Sequence, residues 1–268
     1  MTVTDRCLRF DQKIKLEARG RMCGKWGIAL GLLFVFIAAF GVLFFALQLA
    51  MVVMEMLALT QDALVSLISL LFLSSLILLL GPLRLGISKW YAETAQGVSP
   101  PLHTVFFYFS SVKKYIASVK HLLLKIFRVF PCAVLFIGGA VALSSLITYI
   151  FSVSGFSSLG VNPVVSNSTT VIFVIIGVLA YMMISLRYFL ADYLFVTGDE
   201  GNVDYMSLSA ELMNGYKLNV WRLMATYSGW ILLCVFVFPI LYSFSFMHAS
   251  YSVVAKWIVI TETKAKSE

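Results

Sequence analysis

Three histidines (His103, His121, His248) and four cysteines (Cys7, Cys23, Cys132, Cys234) are the side chains best suited to metal or nucleophilic chemistry in this 268-residue chain. Their spacing supports neither. Zinc sites draw ligands from short repeats such as C-x-x-C or H-E-x-x-H, and no such repeat is present. No carboxylate stands at a ligand-like distance from a histidine, and glycine-rich phosphate loops and G-x-S-x-G elbows are absent. An enzyme acting on lipids would need a site built around His103 or Asp192 that no pattern announces. The residues therefore predict a non-enzymatic protein with no catalytic residue, cofactor or metal. Cys132 and Cys234 lie in apolar runs and read as small core hydrophobes. Cys7 and Cys23 lie among basic residues, and Cys23, just before an apolar run, has the position of a lipid-attachment site.

The elements that would hold these residues are apolar and long. Hydrophobic residues make up 60% of the chain and charged ones only 12%, where a soluble domain carries about 25% charged residues. Mean hydropathy is +0.93. The apolar runs do not alternate with polar residues, which argues against a spanning barrel. The class is all-α, a polytopic helical membrane protein. The net charge of +7 would suggest nucleic acid in a soluble chain. Here basic residues flank apolar runs, where they hold those flanks in the cytoplasm against anionic lipid, so no nucleic-acid partner is expected.

Six spans are predicted, at about 26–50, 63–80, 129–151, 171–190, 219–236 and 239–258, forming one transmembrane domain over 26–258. The first apolar run continues to Leu59. As one helix of roughly 34 residues it would be about 51 Å long, against a hydrocarbon core of about 30 Å, so it must tilt or end early. It is also too long for a signal-peptide core, so the first span is expected to serve as the insertion signal. Gly81-Pro82 is expected to punctuate the inner end of span 2. The uncharged loop 152–170 reads as extracytoplasmic; its Asn167-Ser168-Thr169 sequon is read as chance. The stretch 216–260 reads as a helical hairpin turning near Phe236 to Pro239. With both ends inside, all 20 Lys and Arg fall on the cytoplasmic side, which favours six spans over five.

Three further segments are amphipathic, two of them basic. In 1–25, Cys7, Phe10, Ile14 and Ala18 recur at helical spacing, predicting a short helix on the inner membrane surface, with a solvated basic tail as the alternative. Ser99-Pro100-Pro101 looks like a helix start for an interfacial helix over about 99–121. It would place Leu102, Val105, Phe106, Phe109, Val112, Ile116 and Val119 toward lipid. A second interfacial helix is predicted over about 203–214, ended by Gly215, and 259–268 reads as a cytoplasmic tail. Membrane-surface or partner contact is assigned to Lys113, Lys114, Lys120, Arg6, Arg9, Lys13 and Lys15. Trp26, Trp90, Tyr91, Trp221 and Trp257 read as interface anchors. Gly27-x-x-x-Gly31 and Gly138-Gly139 would permit close helix packing, within the chain in preference to between copies. Polar residues within the spans, among them Gln48, Ser74, Ser75, Ser144, Ser145, Thr148 and Ser228, are expected to bond to neighbouring helices or their own backbone.

Several stretches carry a family resemblance. Ser209-Ala210-Glu211-Leu212-Met213-Asn214-Gly215-Tyr216-Lys217 is similar to an S-x-x-L-M-x-G-x-K stretch. Ser228-Gly229-Trp230-Ile231-Leu232-Leu233 resembles an S-x-x-G-W-x-L-L pattern with shortened spacing. Gly81-Pro82-Leu83-Arg84-Leu85-Gly86 resembles G-P-L-x-x-G, followed by Trp90-Tyr91 and Gly97, and Lys25-Trp26 also fits. In order, these resemble a bacterial membrane family common in Firmicutes and known only as domain of unknown function nine-seven-five. Residues 234–241 depart from it, lacking the family's turn glycines, and Pro239 is followed by Ile240 where the family has Tyr. The resemblance implies an integral membrane protein with several spans and no assigned chemistry. A fainter internal echo links Lys89-Trp90-Tyr91-Ala92-Glu93 with Arg187-Tyr188-Phe189-Leu190-Ala191-Asp192, compatible with a parallel repeat or with coincidence.

The sequence thus predicts a multi-pass protein of the bacterial cytoplasmic membrane acting as an accessory or scaffold. Its expected partners are the bilayer, anionic headgroups on the cytoplasmic side, and a membrane protein or a second copy. The rival reading is a transporter, channel or lipid-translocating protein. Against ion coupling stands the lack of ionisable residues at the span centres, His248 excepted.

Overall fold

In the computed structural model the described residues are 9–56, 62–153, 163–198, 204–233 and 237–267, and every regular element among them is helical. The order is α1 (Phe10–Met22), α2 (Trp26–Met56), α3 (Asp62–Ser75), a π turn (Leu76–Leu80), α4 (Gly81–Gln96) and a 3-10 helix (Leu102–Phe109). Next come α5 (Val112–Ala133), a second π turn (Val134–Gly138), α6 (Gly139–Val153), α7 (Pro163–Ser185) and a 3-10 turn (Leu186–Tyr188). The chain closes with α8 (Ala191–Thr197), α9 (Tyr205–Leu212), α10 (Lys217–Ala225), α11 (Ser228–Leu233) and α12 (Val237–Ser267). Four helical stretches are long and apolar enough to cross a membrane: Trp26–Met56, Leu64–Gln96, Val112–Ile147 and Thr170–Thr197.

The buried core lies at one end of these stretches. It gathers Ile14 and Ala18 of α1, Leu83, Trp90 and Tyr91 of α4, Leu190 and Leu194 of the α8 region, Val220 and Leu223 of α10, and Val254 and Ile258 of α12. The apolar ends of the long helices carry large exposed side chains instead, such as Phe45, Leu70, Phe130, Leu146 and Ile176.

Several helices are longer than the sequence suggested. The first does not stop at Ala50 but reaches Met56, and Leu57–Gln61 lie outside the described residues. Gly81-Pro82 does not end span 2, because the helix passes through it into α4. Proline removes a donor and crowds the carbonyl four residues back. Here the π turn over Leu76–Leu80 widens the backbone at that carbonyl, and Leu78 O accepts instead from Tyr115 Oη at 3.1 Å. Pro131 within α5 is likewise followed by a π turn, and the helix runs on.

The predicted interfacial helix over 99–121 is two elements. Ser99-Pro100-Pro101 is not a helix start. Trp90 Nε1–H donates to Pro100 O at 2.8 Å, and Pro101 stays extended. Residues 102–109 form the 3-10 helix, Ser111 is extended, and α5 runs from Val112 directly into the predicted third span. Val105 is fully buried, whereas Phe106, Val112 and Ile116 remain exposed. The 203–214 helix is present as α9, with Asp204 at its N-cap and Gly215 at φ +93° beyond it. The predicted turn at 236–239 lies partly outside the described residues. The segment before it is broken between α10 and α11, and α12 carries helix through the predicted tail to Ser267. Loop residues 154–162, with them the middle of the predicted extracytoplasmic loop, lie outside the described residues.

The amphipathic stripe of α1 is covered by protein, not lipid. Ile14, Ala18 and Met22 are buried, and Phe10 meets Trp257 edge-on at 5.1 Å. Trp90 and Tyr91, read as interface anchors, are core residues. The serines bond locally as predicted: Ser74 to Leu71 O, Ser75 to Phe72 O, Ser144 and Ser145 to Val141 O, and Ser228 to Ala225 O.

Close backbone approach is made by other glycines than those expected. A Cβ at Gly27 or Gly139 would meet nothing within 4 Å, and at Gly31 only Leu102 Cδ1 at 3.5 Å. At Gly177 it would stand 2.6 Å from Phe136 O, and at Gly86 only 1.9 Å from Val105 O. Gly86 therefore seats the 3-10 helix directly on α4. Gly86→Ala should lower the Tm of the purified protein sharply, toward or beyond the upper end of the roughly 1–3 kcal/mol that overpacking costs. Gly27→Ala should leave Tm unchanged or raise it, because alanine favours helix. Equal Tm values for the two variants would contradict the seating.

Candidate functional site

The packed end is held by ionic contacts between elements far apart in sequence. Asp192, in the first turn of α8, is the centre of the largest. Its Oδ2 accepts from Arg84 Nη2 of α4 at 2.5 Å and from Lys125 Nζ of α5 at 2.7 Å. Its Oδ1 lies 3.2 Å from His121 Nε2, one turn earlier on α5. The Asp192 side chain is 16% exposed, Lys125 21% and His121 5%, whereas Arg84 keeps 46%. The His121 ring stacks on Phe195 at 4.3 Å, and Phe195 in turn meets Tyr108 and Tyr205. That aromatic wall fixes the imidazole toward the carboxylate.

Beside this cluster lies a cavity of about 520 Å³, walled by Arg84, Lys125 and Asp192 together with His248, Trp221 and Tyr251. It also touches Val129 of α5 and Met182 of α7, on the long apolar helices. Among the described residues no group of three or more His, Cys, Asp and Glu is arranged to hold a metal ion.

A second ionic contact fixes α9. Asp204 Oδ1 accepts from the backbone N–H of Met206 and Ser207, at 3.1 and 3.4 Å, capping the helix. Its Oδ2 accepts from Arg128 Nη2 and from Ser207 Oγ, both at 2.7 Å. The hydrogen bond from Arg128, then that from Ser207, hold the Asp204 carboxyl down at about 2. A third set closes the C-terminal end of α4. Gly97 turns the chain at φ +101°, Lys25 Nζ donates to Val98 O at 2.6 Å, and Lys256 Nζ to Ala95 O at 3.0 Å.

The surface contacts assigned from sequence fall apart into several environments. Arg6 lies outside the described residues. Arg9 is exposed at the start of α1, its backbone N–H donating to Gln12 Oε1. Lys13 is half-buried. Lys15 sits over the Tyr227 ring at 4.6 Å, and burial pushes its ammonium pKa down, partly offset by Asp11. Lys113 and Lys120 are exposed, but Lys114 lies over the Phe107 ring at 3.8 Å, a ring that Lys89 also covers at 3.3 Å. They do not form one patch with the α1 residues. His103 lines a separate surface groove with Lys89 and Glu93, away from Asp192. The cluster of Arg84, His121 and Lys125 around Asp192 was not assembled from sequence. The available signal was Asp192 itself, the first carboxylate after Glu93, with Lys113, Lys114, Lys120, Lys125, Arg128 and Arg187 in the stretch between them.

Asp204 gives a pH test. Its pKa is lowered on folding, so its contribution is present above the usual carboxylate value and is lost as pH falls through about 2. Asp204→Asn keeps an N-cap acceptor but loses the charge that meets Arg128, and should lower Tm at neutral pH by the equivalent of about 0.2–1 kcal/mol. The two proteins should converge on acidification from about pH 4 to about pH 2. A constant difference over that range would count against the Arg128 contact.

No curated protein and no solved structure matches the chain. Residues 9–262, which include α1, the Asp192 cluster and most of α12, match the family described as "Protein of unknown function (DUF975)", and the chain belongs to that family.

Proposed function

We propose that the chain is a non-enzymatic accessory or scaffold protein of the cytoplasmic membrane. The supporting observation is the burial pattern of the four long stretches. Only 17%, 11%, 0% and 11% of their most apolar windows are buried by the chain itself, in the order Trp26–Met56, Leu64–Gln96, Val112–Ile147 and Thr170–Thr197. Membrane helices associate through close packing and interhelical hydrogen bonds. A chain whose own core lies at one end leaves its apolar helix faces for lipid, another membrane protein or a second copy. Gly27 is exposed on α2, with nothing within 4 Å of an added Cβ.

The proposed threading has six spans and both ends on the cytoplasmic side. Contacts between distant cations and one helix end support it. Lys25 before α2, the end of α4, and Lys256 within α12 all meet. The α2–α4 and α11–α12 connections then act as hairpins returning the chain to its basic end, as the charge distribution favours.

Chemical cross-linking in the native membrane, followed by purification and mass spectrometry, tests the role. A stoichiometric membrane partner should be recovered, and Lys113→Glu combined with Lys120→Glu should reduce its recovery several-fold if the exposed face of α5 contributes. Recovery of the chain alone, with solute or lipid flux in liposomes containing only this protein, would replace the accessory reading with transport.

A further inference from the structure

Arginine carries five N–H donors, and the Arg84 guanidinium spends one of them on Asp192, through Nη2. With 46% of its side chain exposed, it presents the others beside the cavity. Lys125 meets the same carboxylate oxygen. Two cations and one carboxylate leave a balance of +1 on that wall (two minus one), because Asp192 cannot neutralise both. Unmatched positive charge on the wall of a cleft raises the local concentration of counter-ions.

The cavity has the size and lining for one. Its volume of about 520 Å³ falls within the roughly 300–1,000 Å³ of small-molecule sites. Ser88 and Ser252 add hydroxyls to the cationic wall, and Trp221 and Tyr251 add amphipathic rings. It also reaches Val129 and Met182, and Met182 is 38% exposed on a helix apolar enough to span a membrane. A ligand there would have its charged part against Arg84 and Lys125 and apolar helix surface beside it. Guanidinium matches the geometry of phosphate oxygens, and lysine adds a point charge.

We propose that this cavity binds a phosphate-bearing anion, supplied as a phospholipid headgroup or as free phosphate, bridged by Arg84 and Lys125. The inference goes beyond the accessory reading and does not rest on it, since a transporter would use the same site. Asp192 repels such an anion, but its charge is already doubly matched and its second oxygen faces His121.

The full chain in detergent would be equilibrated with phosphatidylglycerol, phosphatidylcholine or inorganic phosphate. Bound lipid is counted by native mass spectrometry, and phosphate by equilibrium binding and competition. One phosphatidylglycerol per chain is expected, in preference to phosphatidylcholine. Arg84→Gln, which brings the local balance to zero, should weaken binding about ten-fold. Asp192→Asn, which raises it to +2, should tighten binding even though it removes a structural ion pair. A purely structural cluster would not give that reversal. Ser252→Leu fills the cavity without changing charge and should abolish binding, so it decides the matter if the charge variants do not fold. Phosphate binding without lipid retention, lost in Ser252→Leu, assigns the site to the soluble ion. Retention of neither ligand, or binding indifferent to both Arg84→Gln and Ser252→Leu, overturns the proposal.

Discussion

One carboxylate fixes how three helices meet. Asp192 joins α8 to α4 through Arg84 and to α5 through His121 and Lys125. Loss of one partner from a mostly buried ion pair costs about 3–5 kcal/mol, because the remaining charges are left unmatched. Replacing a whole ion pair with apolar groups is often neutral. The cluster is therefore better understood as a specificity device than as a source of net stability. It dictates which turns of α4, α5 and α8 lie opposite one another, a setting that apolar contacts between helices leave loosely determined.

α4 is the element around which the rest is arranged, and it keeps that place through its small residues. Gly86 lets Val105 lie against its backbone, and Gly81 leaves room for Leu122 of α5, whose Cδ2 would stand 2.4 Å from an added Cβ. Pro82 is tolerated because the preceding π turn redirects a carbonyl to Tyr115. One short stretch, Gly81 to Gly86, thus serves continuity of the helix, contact with α5 and seating of the 3-10 helix. Arg84 lies between those glycines, so the positioning of the ionic cluster depends on the same close approach.

Much of the helical architecture was legible in the sequence because apolar length and helical periodicity report on it directly. The four long stretches and α9 followed from them. The misreadings share one cause. A single-helix pattern shows that one face is apolar but not what covers it. The stripe of Ile14 and Ala18 reads the same whether it meets lipid or α12, and the structure places it against α12 and α10. Trp90 and Tyr91 at a span end have the composition of an interface belt, yet they lie inside a protein core. Gly81-Pro82 misled for the reverse reason: its local rule is correct, and a neighbouring π turn relieves it. The Asp192 cluster was invisible because Arg84 and Asp192 are 108 positions apart.

The cations carry two constraints that coincide. Helix C-termini expose carbonyls and a partial negative charge. α4 ends at Gly97 with Ala95 O and Val98 O directed to Lys256 and Lys25. Those lysines flank apolar helices, where positive charge also resists translocation. If the hairpin from α2 to α4 were threaded the other way, Lys25 and the end of α4 would move together, but Lys256 would follow only if α12 reversed as well. The packed end therefore ties Lys25, before α2, and Lys256, of α12, to one helix end. Under the proposed threading, basic residues that look redundant along the sequence would act cooperatively in three dimensions, because each hairpin would supply the partner that the next one needs.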